Sequence, residues 1–553
     1  MGGTKRRGGA ILTAAQRVVF GLGLCTAASM TCGLTLTGCR VAENDVKRWE
    51  TTQRGPYKLV AVVTHDKYSW ELRTDAALSL IRMAPRGGTR QGIGFLIDKY
   101  KDEEGDSREG ALNQLGEESR RHIVDSMAPL LIKELEPPPL PHTPEGRLPP
   151  DPTIPFKDAT FAMLVHEPPL VSNEKTRADL KAALTKWAST GFEDRIDNGS
   201  QQFGLEQMMR FLGVDSVRSL PALLNENTGR IDRIAGLIND VGDEPTKLKA
   251  SEALRDLAQK YNSKDWLDAQ TKLVKESNAR NNIKADDTQA AGQVDKIQER
   301  RLTEEVFPAM KKVGGRPSID YLFGYAADGK NSTDRRKLAL AALEGRVDKN
   351  SPTDLDRIFA IAKNEDNPDE VRDVAFTRMG EFPKEQIVPR LYTLFEPKKW
   401  KTRWVAGETV LKTFSSTKQV PDFLNRLPRT PATKMGMTEP LSYGGKIKQM
   451  DPPAGEPKPR DLLIPYLTAR ELGPRLTALG YFWEGKKVDR PLVQPFENDA
   501  TLLPKCEKDD ACSWSCDVPK APGSKETEPK ELKTVGEFVK FCLVPSMDKE
   551  DKK

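Results

Sequence analysis

The chain has 553 residues, which is long enough for several domains or for one extended repeat array. Hydrophobic residues make up 37% of it, charged residues 30% and aromatic residues 7%, a composition that favours a soluble, helix-rich body over an all-β protein. The net charge is +5. Residues 1–38 carry four positive charges and no acid, so the remainder carries 5 − 4 = +1. This near-neutral balance does not support a general nucleic-acid-binding role.

The N-terminal 39 residues have the order of an export signal. Basic residues at 5–7 precede an uncharged run over 18–38. The last residues of the run and the one that follows are Leu36, Thr37, Gly38 and Cys39. This ending resembles the lipobox of bacterial lipoprotein signal peptides. The resemblance implies that residues 1–38 are removed and that Cys39 becomes the lipid-carrying N-terminus of an exported protein.

Two alternatives for this segment are an uncleaved transmembrane helix and an ordinary cleaved signal with an incidental cysteine. The glycines and threonines of the run lower its helix propensity, which disfavours the first alternative. Arg40 follows the cysteine, where an aspartate would have suggested inner-membrane retention. We therefore expect the lipid to anchor the protein to the outer membrane, on its periplasmic or outer surface.

A motif of a basic residue, a small residue three positions later and an apolar residue four positions beyond that recurs along the chain. Its basic and small residues are Arg73 and Ala76, Arg108 and Ala111, Lys247 and Ala250, Arg336 and Ala339, Arg372 and Ala375, and Arg403 and Ala406, with a looser copy at Arg177. The basic residues lie 35 positions apart from 73 to 108, 36 from 336 to 372 and 31 from 372 to 403. Helical spacing within a unit and this period between units indicate stacked helical hairpins.

This pattern, with the polar turn 366–370 before one of its copies, resembles HEAT repeats. The resemblance implies an all-α solenoid in which the small residue allows close helix packing. It also implies that the basic residue binds an acidic or backbone group at the neighbouring turn. No single hairpin can bury its own apolar stripe, so the array is expected to gain its stability from stacking.

The predicted organisation follows the changes in composition. We expect a signal peptide at 1–38, N-terminal repeats at 39–135, a proline-rich linker at 136–156, the main array at 157–430, a Gly/Pro-rich loop with a terminal helical segment at 431–500, and a four-cysteine tail at 501–553. The linker is too rich in proline for a helix. It is interpreted as a spacer, with a docking site for an aromatic-lined groove as the alternative.

The tail contains Cys506, Cys512, Cys516 and Cys542. In an exported protein such a cluster is typical of disulfides, and four cysteines allow three pairings. A zinc site is the alternative, but the spacing lacks C-x-x-C pairs. We expect two disulfides that stabilise a loop-rich tail, and no metal or other cofactor.

One candidate binding patch stands out. Its residues are Lys398, Lys399, Trp400, Lys401, Arg403 and Trp404. The two tryptophans fall on one helical face with cations beside them, which could bind an anionic lipid, a polysaccharide or an acidic partner. The alternative is that the tryptophans pack between repeats while the lysines are solvated.

The sequence contains no recognisable catalytic constellation, since a phosphate-binding loop, a nucleophile elbow and a zincin motif are all missing from it. We expect a non-enzymatic, lipid-anchored scaffold that binds an envelope protein on a long helical-repeat surface. One alternative is a structural lipoprotein that binds peptidoglycan or envelope polysaccharide. Another is an enzyme, because some bilin lyases and DNA glycosylases resemble HEAT solenoids. Neither nucleic acid nor a small-molecule substrate is predicted as a partner.

Overall fold

A computed structural model of the protein describes residues 41–86, 90–196, 198, 202–395, 399–427, 435–504, 513–521, 524 and 526–547. In these ranges the chain is an all-α repeat array, as the sequence predicted. It also contains two short β-hairpins, which the sequence did not predict. The signal segment, with Leu36, Thr37, Gly38 and Cys39, lies outside the described residues. None of the helices in the described ranges is both long enough and apolar enough to cross a membrane.

The N-terminal part builds helical pairs around a first hairpin of strands. Its helices are α1 (Glu43–Trp49), α2 (Gly55–Thr64), α3 (Trp70–Arg82), α4 (Gln91–Leu96), α5 (Ala111–Gln114), α6 (Glu117–Leu135), α7 (Ile154–Val165), α8 (Glu174–Ser189) and α9 (Phe192–Ile196). Its strands are β1 (Lys99–Lys101) and β2 (Ser107–Glu109), which pair antiparallel.

The central part contains the long polar helices. In chain order, the elements of this part are α10 (Leu205–Leu212), α11 (Val214–Val217), a 3₁₀ turn (Leu220–Leu223), α12 (Ile231–Val241), α13 (Glu244–Tyr261), α14 (Lys264–Arg280), α15 (Asp287–Arg300), a π-helical segment (Arg301–Val306) and α16 (Phe307–Val313). Gly213 separates α10 from α11 with φ at +80°, a conformation that favours glycine.

The most regular part of the array follows. It consists of α17 (Arg316–Ala327), α18 (Thr333–Ala342), α19 (Pro352–Lys363), α20 (Asp369–Met379), α21 (Lys384–Tyr392), α22 (Trp400–Thr413), a 3₁₀ turn (Thr417–Gln419), α23 (Val420–Arg426), α24 (Thr438–Lys448), α25 (Pro459–Leu463), a 3₁₀ turn (Ile464–Thr468) and α26 (Leu472–Tyr481). Helices α17, α19 and α21 pack side by side in one layer. Helices α18, α20, α22, α24 and α26 form the second layer.

Contacts between successive repeats return at nearly constant sequence offsets. Arg357 pairs with Asp320 37 residues earlier, and Arg390 binds Asp356 34 residues earlier at 3.0 Å. The main-chain N–H of Lys399 donates to Glu365, again 34 residues earlier. These offsets confirm the repeat of about 35 residues that the motif spacing predicted.

The proline-rich segment is docked onto the array rather than extended as a linker. Helix α7 already begins at Ile154, inside the predicted linker 136–156. The guanidinium of Arg195 donates to the Pro137 carbonyl at 2.9 Å and pairs with Asp151 at 3.0 Å. One continuous hydrophobic core runs along both sides of the segment. The prolines exclude a helix, but buried polar contacts fix the loop in place.

The predicted loop after residue 430 is also partly wrong, because α24 forms there and packs against α26. Two glycines allow the contact: a Cβ on Gly444 would lie 2.3 Å from the Tyr481 nitrogen, and a Cβ on Gly480 would lie 2.5 Å from the Pro440 carbonyl. In this segment glycine permits close helix packing. The same glycines, read from the sequence alone, predict a loop for this segment.

The C-terminal tail packs into the same continuous core as the array and contains a disulfide in its described residues. Its elements are a 3₁₀ turn (Lys487–Asp489), α27 (Arg490–Val493), a 3₁₀ turn (Gln494–Asn498), β3 (Ser515–Pro519), β4 (Thr527–Glu531), α28 (Val535–Phe538), a π-helical segment (Val539–Leu543) and α29 (Val544–Met547). Strands β3 and β4 pair antiparallel. Cys516 on β3 is bonded to Cys542 in the helical segment, which confirms a disulfide in the tail. Cys506 and Cys512 lie outside the described residues.

Candidate functional site

Four arginines of the repeat motif bind the end of the preceding helix. Each is the fourth residue of its helix, and each donates to the carbonyl of the penultimate residue of the helix before it. The pairs are Arg73 to Val63 at 2.8 Å, Arg177 to Leu164 at 3.3 Å, Arg336 to Ala326 at 2.8 Å and Arg372 to Ala362 at 3.0 Å. The last carbonyls of a helix have no intrahelical donor, so the guanidinium satisfies one of them. These arginines therefore have a structural role.

Burial has an electrostatic cost for two of these side chains. Desolvation lowers the pKa of Arg73 and of Arg336, and a nearby aspartate acts in the opposite direction in each case. The small residues of the motif are equally enclosed. Fully buried are Ala76, Ala111, Ala250, Ala339, Ala375 and Ala406. The small residues of the motif thus lie in the interior of the array.

Arg403 uses a different partner. Its guanidinium binds both carboxylate oxygens of Glu439 at 2.6 and 2.8 Å, and both side chains are about 1% exposed or less. The Tyr443 hydroxyl donates to the Arg403 carbonyl at 2.8 Å. Burial raises the pKa of Glu439, and the hydrogen bond and charge of Arg403 oppose that shift. This buried pair joins α22 to α24.

Two of the predicted basic residues of the motif depart from this pattern of contacts. Arg108 is in strand β2, is exposed and pairs with Asp102 at 2.7 Å, so the helical copy predicted there is wrong. Lys247 is the fourth residue of α13, but its amino group lies 4.0 Å from Glu244 and its side chain is 28% exposed. An ammonium lacks the planar fork that serves the other copies.

The structure divides the predicted Lys–Trp patch. Trp400 is 6% exposed and Arg403 is buried, so neither belongs to a free surface. Trp400 stacks on Trp404 at 5.7 Å between ring centroids, and Lys401 pairs with Asp369 at 2.8 Å. The interpretation that the tryptophans pack between repeats fits Trp400. Lys398 lies outside the described residues.

Two residues of the patch, Lys401 and Trp404, line an open groove between α20 and α22. This α20–α22 groove has a volume of about 690 Å³. Its walls and floor include Phe376, Ile387, Lys401, Trp404, Glu408 and Lys412. Phe376 and Ile387 are buried, whereas Lys412 is exposed. The groove therefore offers an apolar floor between charged rims, which suits a side chain of a partner protein more than a reacting small molecule.

Sequence reasoning found Lys401 and Trp404 of this groove but missed Lys412 and Lys384. The Lys384 amino group donates to Ser415 at 2.9 Å. Lys384 lies on α21, outside the predicted patch, and only the stacking of consecutive hairpins brings it to α22. In the described parts of the chain, no cluster of three His, Cys, Asp or Glu side chains is arranged to hold a metal ion.

The chain matches no protein-family model, and no curated protein matches it significantly. Among solved structures it is similar to two crystal structures of Kap121p, one of them a mutant. The mutant structure is 10% identical with a TM-score of 0.27, and the match covers 82% of this chain and 46% of that one. The other is 13% identical with a TM-score of 0.22, covering 82% and 48%. The chain therefore spans less than half the length of these neighbours.

Proposed function

We propose that the protein is a non-enzymatic scaffold that binds partner proteins on its helical-repeat surface while a lipid on Cys39 anchors it to a bacterial outer membrane. The observation that carries the proposal is the two-layer array, in which neighbouring helices leave long grooves with apolar floors and charged rims. Stacked repeats form extended surfaces of this kind, and such surfaces suit recognition of proteins. The lipobox-like segment supports the anchor.

A lipid anchor would help such a scaffold by raising its local concentration at the membrane. A lipid-tethered array meets membrane proteins and other anchored chains at a much higher local concentration than a freely diffusing one. Weak individual contacts along the grooves can then give a stable assembly.

The experiment is affinity purification from cross-linked cell envelopes, with a tag placed after Lys553 and captured proteins identified by mass spectrometry. We expect a small, reproducible set of envelope proteins and an acylated N-terminal peptide that begins at Cys39. The matched control is Cys39→Ser. This variant should remain unacylated and should no longer be recovered in the membrane fraction. An unmodified Cys39 within an uncut chain would refute the anchor.

The same preparation separates the polysaccharide alternative. Purified protein is mixed with isolated cell-wall sacculi and centrifuged. Pelleting with the sacculi, together with the capture of no envelope protein, would overturn the scaffold proposal in favour of a wall-binding lipoprotein. Recovery of envelope proteins and no pelleting would support the scaffold.

A further inference from the structure

A second groove lies between α13 and α17, where the central part of the chain meets the regular array. Two adjoining cavities of about 650 and 520 Å³ share Leu248 and Arg316 and so form one depression. Its lining along α13 runs from Glu244 to Gln259, which at 1.5 Å per residue is about 22 Å. This α13–α17 groove is long enough for an extended segment of about six residues.

One cluster of charged residues at the groove has no net charge. Arg316 pairs with Asp320 and with the buried Asp354, both at 2.7 Å. Arg357 pairs with Asp320 from the next repeat. Two arginines thus face two aspartates, and this cluster joins the repeats without adding net charge to the groove.

Arg255 also lines the groove, but it pairs with Asp256 at 2.7 Å. Two further cations, Arg346 and Lys247, give the groove its positive charge. The Nη2 of Arg346 donates to the Lys312 carbonyl at 2.9 Å, and in the described part of the chain no carboxylate lies within ion-pair distance of its guanidinium. Lys247 is 4.0 Å from Glu244, whose side chain is 92% exposed, so that pair is largely screened by water. Residues 39–553 carry only +1 overall, so this local excess is not a general property of the surface.

An apolar residue stands beside these cations. Leu248 lines both cavities and is 47% exposed, although the core of α13 is formed by Ala250 and Leu254 on another face. An exposed leucine between cations suits an occupant that carries an apolar side chain next to a carboxylate. Charged contacts then fix the register and the apolar contact contributes affinity.

We propose that the α13–α17 groove is a docking site for an acidic, extended segment of a partner protein. An apolar side chain of the segment packs on Leu248, and an adjacent carboxylate binds Arg346 and Lys247. This inference rests on the proposed scaffold function and specifies the partner: a protein segment rich in Asp or Glu with interspersed apolar residues.

The test is selection from a random twelve-residue peptide library displayed on phage, with the full mature chain in detergent micelles as the target. The test variant is Lys247→Gln with Arg346→Gln. The matched control is Lys384→Gln with Lys412→Gln, which removes two cations from the α20–α22 groove. Thermal unfolding of each variant establishes that it is folded. Leu248→Ser, at an exposed position, is the second test variant should the first fail to fold.

We expect enriched peptides in which acidic and apolar residues alternate. Binding of the best peptide, measured by fluorescence anisotropy, should weaken about ten-fold or more in the test variant, because a charge-assisted contact of about 1.4 kcal/mol corresponds to ten-fold in Kd. It should stay within two-fold in the control and weaken as salt is raised.

Three results would overturn the inference: no enrichment over an unrelated target, enrichment of peptides without acidic residues, or equal binding by the test variant. The envelope capture above tests the scaffold independently. If envelope proteins are captured but the peptide selection fails, only this docking site is refuted. If the selection succeeds but no envelope protein is captured, only the anchored scaffold is refuted.

Discussion

The four arginines that donate to a preceding helix end show how one residue type sets the repeat. Each lies one turn into its helix and reaches a carbonyl that the preceding helix leaves without a donor. A guanidinium at a helix C-terminus also complements the partial negative charge there. The angle between the two helices of a unit is therefore fixed by a charged hydrogen bond in the interior as well as by apolar packing.

Arg372 provides the clearest test of this role. Its side chain is 2% exposed and binds the Ala362 carbonyl, Asp369 and Thr402. Substitution Arg372→Met keeps most of the apolar stem but leaves the carbonyl unpaired. We expect a loss of about 2 to 3 kcal/mol in the free energy of unfolding, the usual range for a buried hydrogen bond to a charged group. Urea denaturation measures it.

The control is Arg48→Met on α1, where the arginine is 68% exposed and pairs with Asp45. An exposed pair of this kind contributes within about 0.5 kcal/mol. Equal effects of the two substitutions would contradict the structural role of the motif arginine.

A histidine in the proline-rich segment gives a pH-dependent prediction. His142 lies 2.9 Å from Asp194, and this hydrogen bond raises the pKa of His142 above its ordinary 6.5. A raised folded pKa means that the stabilisation is fully present below about pH 6.5 and is lost as pH rises through the folded value. Nuclear magnetic resonance titration of His142 should show the raised pKa.

The control for this titration is Asp194→Asn, which removes the charge and keeps the shape. In that variant the pKa of His142 should return toward its ordinary value. An unchanged titration would mean that the proline-rich segment is docked in solution without this contact.

At the residue scale the sequence predicted the motif but not each partner. Arg73, Arg336 and Arg372 lie where the helical pattern put them, because helix spacing is local information. Arg108 matched the same motif by composition, yet the polar run before it forms the turn of a β-hairpin. The acid that binds Arg403 lies 36 residues away, and only the folded stacking brings that residue into contact.

At the scale of elements, the α24–α26 contact shows why the glycines of this segment do not indicate a loop. Glycine near proline and lysine is typical of loops, but Gly444 and Gly480 let two helices approach within backbone contact. The apolar residues Tyr443 and Ile447, both fully buried, supply the helical spacing that would have indicated α24. Sequence patterns report propensity, and tertiary packing decided the outcome here.

Substitution Gly444→Ala tests that contact. The added Cβ would lie 2.3 Å from the Tyr481 nitrogen, so α24 and α26 must move apart. We expect a loss of about 1 to 3 kcal/mol, typical of overpacking. The control is the neighbouring Gly445→Ala, whose Cβ meets nothing within 4 Å; there the higher helix propensity of alanine should be neutral or stabilise by up to about 1 kcal/mol. Thermal unfolding compares the two, and similar losses would contradict the close contact.

The disulfide belongs to this scale too, because it joins strand β3 to the terminal helical segment across 26 residues. Closing a loop of that length contributes about 3.5 kcal/mol by the chain-entropy relation. Peptide mapping without reductant should show Cys516 linked to Cys542. The sequence predicts two disulfides and leaves their pairing open, so with this pair formed we expect Cys506 to be linked to Cys512. The double substitution Cys516→Ala with Cys542→Ala should lower the unfolding temperature of the tail. A Cys516 recovered free or linked to another cysteine would refute the assignment.

At the scale of the whole molecule, the described chain carries one main core from Val46 to Met547 and a small separate cluster of Val274, Ala290 and Val294 at α14 and α15. Each repeat buries its apolar face against its neighbours, so the fold class followed from the period even where several boundaries did not. The grooves could not be predicted in the same way. They depend on the distance between helices in different repeats and on which cations remain without an acid after stacking.

The proposed anchor has a geometric consequence. Only residues 40–42 separate Cys39 from the start of α1 at Glu43. Four Cα steps span at most about 14 Å. A lipid on Cys39 would thus hold the N-terminal end of the array directly at the membrane surface, and the array could not move away from it as it could on a long flexible linker.

A fluorophore on Lys47→Cys, an exposed position on α1, tests this consequence in vesicles that contain a headgroup-attached quencher. We expect strong quenching for the acylated chain. Quenching should fall sharply when twenty Gly/Ser residues are inserted after Ala42, because the root-mean-square reach of such a linker is about 25 Å. Mass spectrometry first establishes that both chains are acylated. Equal quenching with and without the insertion would show that something other than the short tether sets the distance of the array from the membrane.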